Sequence, residues 1–194
     1  MGHAFEQGVA APYIISHVWT CSALNRLLGN QDQAEVRPGL PRAEHSGGKY
    51  RITANFPCRP KRYKQVVGKT DMGDEVTQTM LVCSLGDITY SVSAVEYPEQ
   101  TIKSMPADAW LDRRLDGLRS QPQYTLKSST RQAHQTFPAI LTHFLDSREP
   151  PIDLARLFVM TDAGMIAIGA SWPSGSPEPS RATSFTSSLS IGEK

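Results

Sequence analysis

The sequence predicts an α+β fold, an antiparallel β-sheet flanked by helices, and three observations carry that expectation. In the stretch 86–98, GDITYSVSAVEYP, Ile88, Tyr90, Val92 and Ala94 alternate with Thr89, Ser91 and Ser93, the period of a half-buried strand. The next segment, ADAWLDRRLDGL, places Ala107, Leu111, Leu115 and Leu118 at i, i+4, i+8 and i+11, one helical face bordered by Trp110. A one-sided strand beside a one-sided helix implies a helix packed on a sheet. Third, the remaining strand-like segments are joined by short turns. A parallel crossover needs a dozen or more residues, so these strands pair antiparallel.

Residues 1–48 are read as an N-terminal extension and linker, and 49–194 as the folded body. Pro38, Gly39, Pro41, Gly47 and Gly48 punctuate a polar stretch. Before it, 22–28 could form a short helix, and Ile14, Ile15, Val18 and Trp19 are the residues that would dock on the body. In the body, Tyr50, Ile52, Ala54 and Phe56 alternate with polar residues in a first strand stopped by Pro57 and Pro60. The charged run 61–67 reads as an edge strand, where lysines discourage pairing with other chains. After the turn region 68–74, 75–85 forms a third strand, and 85–87 makes a tight connection into the alternating strand. Ser104 or Met105 can cap the helix that follows, Pro106 suits its first turn, and Asp108 suits the positive end of its dipole. Strands resume at 124–131, 136–146, 152–160 and 165–172. After a Ser/Pro/Gly spacer, Phe185 and Leu189 lie four apart in a weak final helix.

The formal net charge is +1, from 20 basic and 19 acidic residues, so no global field selects nucleic acid or a membrane surface. The most apolar window, 9–28, carries His17, Asn25 and Arg26, so no transmembrane segment is expected. Residues 1–7 lack the basic residues of a signal-peptide n-region. The three cysteines, Cys21, Cys58 and Cys83, allow one disulfide at most and form no CxxC. Cys83 reads as a small core residue.

Candidate chemistry is sparse. There is no GxGxxG, Walker loop, GxSxG or HExxH, and no cofactor is implied. His134 and His143 come from adjacent strands and could approach one another. With Asp146 or Glu149 they would suit zinc or manganese. The plainer account makes His134 a turn residue and places His143 in a strand with Leu141 and Leu145. A Cys83-His143-Asp146 hydrolase set can be written, but nothing specifies the base geometry or an oxyanion hole. Asp108, Asp112 and Asp116 line up at i, i+4, i+8 on the helix with Arg113, Arg114 and Arg119 beside them. That face is either solvated or a docking surface, and Asp108, Asp112, Arg113, Asp116 and Arg119 are its candidate partner-binding residues.

The order NFPCRPKR, GDITYSVSAVEYP, AWLDRRLDGLRS, QTFPAILTHFLD, LARLFVMTDAGMIAIGASWP and FTSSLSI resembles the PsbP/Mog-like superfamily. Phe56-Pro57, Pro60-Lys61-Arg62, the Tyr90–Val92 stretch, Tyr97-Pro98, Ala155 to Phe158 and Pro173 carry the resemblance, which spans 50–191. His134-Gln135-Thr136-Phe137-Pro138 is a loose version of the family's hairpin motif, 165–168 lacks its Tyr, and Leu189 replaces the final Phe. The resemblance implies an α/β/α-type sandwich and a non-enzymatic role, as in extrinsic photosystem II subunits, Ran-binding proteins, envelope lipoproteins and chaperones of secretion effectors. It also implies an exported or periplasmic protein, with the cytoplasm as the alternative compartment. No functional residue carries over. The expected function is a non-enzymatic binding or scaffold module presenting a sheet or helix face to a protein partner. The alternative is a metal- or small-ligand-binding protein using the His134/His143 hairpin; the hydrolase is the third reading.

Overall fold

Every strand pairing in the computed structural model, which describes residues 42–47, 49–70 and 73–194, is antiparallel. The elements run β1 (Arg42–Gly47), β2 (Tyr50–Asn55), β3 (Lys61–Lys69), β4 (Glu75–Leu85), β5 (Ile88–Glu96), α1 (Glu99–Lys103), α2 (Ala107–Arg119), β6 (Tyr124–His134), β7 (Phe137–Asp146), β8 (Ile152–Met160), β9 (Gly164–Pro173), α3 (Ser180–Ser187) and β10 (Ser190–Glu193). They form a seven-stranded sheet of order β3-β4-β5-β9-β8-β7-β6 and a three-stranded sheet of order β1-β2-β10. The class is α+β. The 22–28 helix, the docking residues 14–19 and Cys21 lie outside the described residues.

β9 sits at the centre of the large sheet because GMIAIGASWP carries almost nothing that needs water, and it is buried along nearly its whole length. A strand covered on both faces reads as a continuous apolar run, whereas β5 keeps the alternation of a strand with one face in the core. Gly169 in β9 is required by crowding: a Cβ there would lie 2.2 Å from the Ala155 carbonyl oxygen and 2.6 Å from Arg156 Cγ.

The large sheet has two faces, each with its own core. On one, Tyr90, Val92, Leu157, Ile168 and Trp172 pack under the small sheet and α3, whose Ala182 and Phe185 are buried there with Leu189 and Ile191. On the other, Ile140, Phe144, Leu154, Phe158 and Met160 meet Trp110, Leu111, Leu115 and Leu118 of α2. Burying side chains of this size contributes about 1.5–3 kcal/mol each. The amphipathic helix thus packs on the sheet as its spacing predicts. Its bed, however, is β6, β7 and β8 rather than the strand that precedes it. The reason is topological: β5 pairs with β9, not with β6, so α1 and α2 carry the chain across the sheet before β6 begins.

Four details depart from the sequence expectations. The final helix, α3, ends at Ser187, before Leu189, and the tail continues as β10. β1 falls inside the stretch read as linker and pairs residue by residue with β2. Pro106, rather than Ser104 or Met105, occupies the N-cap of α2. Cys83 is not a lone core thiol but is bonded to Cys58, tying the β2–β3 connection to β4. A second tie joins the sheets at the β8–β9 turn, where Asp162 accepts from the Tyr50 hydroxyl at 2.6 Å and pairs with Lys49 at 2.8 Å.

Candidate functional site

Where β6 and β7 run past the edge of α3, the small-sheet side of the large sheet stays uncovered. The gap is a half-open groove of about 420 Å³. Pairing Ser128 with His143, Thr130 with Leu141 and Leu141 with Leu157 sets these side chains in rows on one face. Leu141, Ala155 and Leu157 give the groove an apolar floor, and hydroxyls from Ser128, Thr130 and Thr183 give it polar walls. Leu141 is 37% exposed, one of two large apolar side chains left open to solvent among the described residues.

The two histidines line this groove but do not meet. His134 pairs with Phe137 at the hairpin turn, and His143 pairs with Ser128. Six residues of strand between positions 137 and 143 amount to about 20 Å. A zinc ion bonds nitrogen at about 2.0–2.1 Å, so one ion cannot take both rings, and the hairpin metal site expected from sequence is not assembled. Asp146 is turned away: alternation along β7 puts it on the α2 side, where it is buried and held by Arg148. Glu149 lies exposed in the β7–β8 loop. Among the described residues no group of three His, Cys, Asp or Glu converges on a metal position.

Each histidine has its own surroundings. The His143 ring lies 5.5 Å from the Trp172 indole, and its Nε2 is 3.7 Å from Asp153 Oδ1. Asp153 is buried and ion-paired with Lys127. His134 Nε2 is buried without a hydrogen-bond partner. Burial pushes the His134 pKa below its ordinary value, opposed by a hydrogen bond with the Leu189 backbone. Beside it, Gln135 takes the positive φ of 56° at the hairpin turn, and its side-chain oxygen accepts from the Ile191 backbone N–H at 3.0 Å. That bond fixes the hairpin tip to β10.

The hydrolase set is taken apart by the same register. Cys83, Tyr90, Ala170, Ala155 and His143 form a single cross-strand row. Cys83 and His143 are therefore four strand spacings apart, about 19 Å, and the sulfur is consumed by the disulfide to Cys58.

The charged face of α2 is also different from its sequence reading. Asp108 and Asp112 both pair with Arg131 of β6, the former at 2.7 Å, so a cation from the sheet offsets their mutual repulsion. Asp116 pairs with Arg119 at 3.3 Å, and Arg113 is exposed. Two of the five candidate docking residues thus help to seat the helix. Sequence reasoning missed Asp153 and Lys127. The signal was a lone carboxylate in the apolar run PIDLARLFVM, where a buried charge requires a partner.

No family model and no curated protein matches the chain. Among solved structures, a protein of unknown function, PA94, from Pseudomonas aeruginosa is similar at 14% identity, with a TM-score of 0.42. The match covers 60% of this chain and 84% of that one.

Proposed function

We propose that the chain is a non-enzymatic binding module of the PsbP/Mog-like type that takes a segment of a protein partner in the groove between α3 and the β6–β7 hairpin. The observation that carries this reading is the groove itself: an exposed Leu141 on an apolar floor, between polar walls that include Ser128, Thr130, Thr183 and Glu178, at the open end of the large sheet. Apolar contact with a few polar groups to fix orientation is the usual chemistry of a binding cleft. β6 adds a second element of recognition, since it is the outer strand of the sheet and exposed over most of its length. An extended partner segment can pair with such an edge. We further infer an exported protein, because a disulfide such as Cys58–Cys83 persists in oxidising compartments.

Photo-crosslinking tests the reading. A crosslinking residue placed at Leu141 is expected to capture a partner peptide in the native host, identified by mass spectrometry. The same residue at Val66, an exposed apolar position of β3, should not capture it. Filling the groove with Thr183→Arg should abolish capture without unfolding the protein. Equal capture from both positions, or capture that survives Thr183→Arg, would refute the groove as the partner site.

A further inference from the structure

We propose that Arg114 and Arg156 form a binding site for a single oxyanion of phosphate type, on the α2 side of the large sheet and independent of the groove. Arg114 reaches from α2 over the Phe158 ring, its guanidinium carbon 5.3 Å from the ring centre. Phe158 and Arg156 are alternate residues of β8, so their side chains rise from the same face about 7 Å apart. Two guanidiniums therefore share one patch of sheet.

Among the described residues neither has a counter-charge. Arg119, Arg131 and Arg148 are each held by an aspartate, but among the described residues Arg114 and Arg156 form no ion pair with any carboxylate. Arg114 Nε is buried and has no acceptor. Burial, and then the Arg156 charge, pushes Arg114 down to about 10, with the phenols of Tyr97 and Tyr124 as the opposing influences. A buried donor without an acceptor beside a second cation is an arrangement that an anion completes.

The surroundings supply donors rather than carboxylates. The Tyr97 hydroxyl is kept protonated because burial raises its pKa more than Arg114 lowers it. Gly169, the register neighbour of Arg156, leaves the Arg156 stem a path across β9, and Ser91 is the next residue in that row. Two guanidiniums match the acceptor oxygens of a phosphate group, because planar guanidinium forks bind such oxygens in pairs.

The test uses inorganic phosphate against sodium chloride at equal ionic strength, with thermal denaturation and calorimetric titration as readouts. Phosphate is expected to raise the melting temperature saturably. Arg156→Met should weaken phosphate binding at least tenfold, and without phosphate it should melt at or above the parent, because a like charge beside Arg114 is gone. Arg156→Lys keeps the charge but loses the fork, and should fall between the two. An acetate arm assigns the site: stronger binding of acetate than of phosphate would overturn the phosphate-type assignment. Equal melting in phosphate and chloride would overturn the site itself, as would a phosphate response unchanged in both Arg156 variants.

Discussion

Removing the Cys58–Cys83 disulfide is the sharpest test of how the two sheets are held together. The bond closes a sequence separation of 25 residues. In the chain-entropy description, a loop of that length withholds about 3.5 kcal/mol of disorder from the unfolded chain at 25 °C. Both cysteines are 5% exposed, so Cys58→Ala with Cys83→Ala leaves no buried polar atom behind and isolates the crosslink better than serine would. With a urea m-value of about 2 kcal/mol per molar, the unfolding midpoint should fall by roughly 1.7 M. Urea titration by far-ultraviolet circular dichroism, on the oxidised parent and the double variant, measures that shift. A second readout is chemical: Cys58 and Cys83 should resist alkylation in the native state until a reductant is added. A double variant that unfolds at the parental urea concentration, or ready alkylation of either thiol without reductant, would refute the argument.

Two further perturbations address local electrostatics. Arg131→Ala frees Asp108 and Asp112, but all three side chains are largely solvated, at 42%, 69% and 59% exposure. The loss should therefore stay within about 1 kcal/mol at low salt and vanish in about 1 M NaCl; a loss that persists in high salt would assign the effect to packing. His134 has a folded-state pKa below its ordinary value because it is buried. Its contribution to stability is therefore whole above the unfolded value of about 6.5 and is lost as pH falls through the lower folded value. His134→Gln should flatten the melting-temperature profile between about pH 7 and 5, and an unchanged slope would mean that another group titrates there.

The strands with strong alternation, and the α2 helix with its four-residue apolar spacing, were legible because burial on one face writes a period into the chain. β1 and β10 were not. RAEHSG and SIGE are short and mostly polar, and they become strands only because β2 offers both its edges. The disulfide was hidden for a related reason: three cysteines allow three pairings, and only the placement of the β2–β3 connection against β4 selects one. The histidine site failed on arithmetic that the sequence did contain. Residues of a hairpin pair symmetrically about its turn, so with the turn at Gln135 and Thr136 the partner of His143 is Ser128, not His134. The groove was hidden, because its far wall, α3, reaches β6–β7 only through the folding of the C-terminal tail.

β8 links the two proposed sites. Ala155 and Leu157 floor the groove, while Arg156 and Phe158, interleaved with them, serve the oxyanion site on the opposite face. A slip of one residue in its pairing would exchange the two sets and destroy both sites together. The register is held where that matters. β8 pairs with β7 over 152–159 and with β9 over its full length, and Gly169 admits no side chain opposite Arg156. Because the side chains diverge while the backbone is shared, conservative changes at Leu157 should leave phosphate binding intact, and Arg156→Met should leave partner capture at Leu141 intact. Loss of both activities from a single substitution on β8 would instead mark a failure of strand pairing, separating damage to the scaffold from damage to either site.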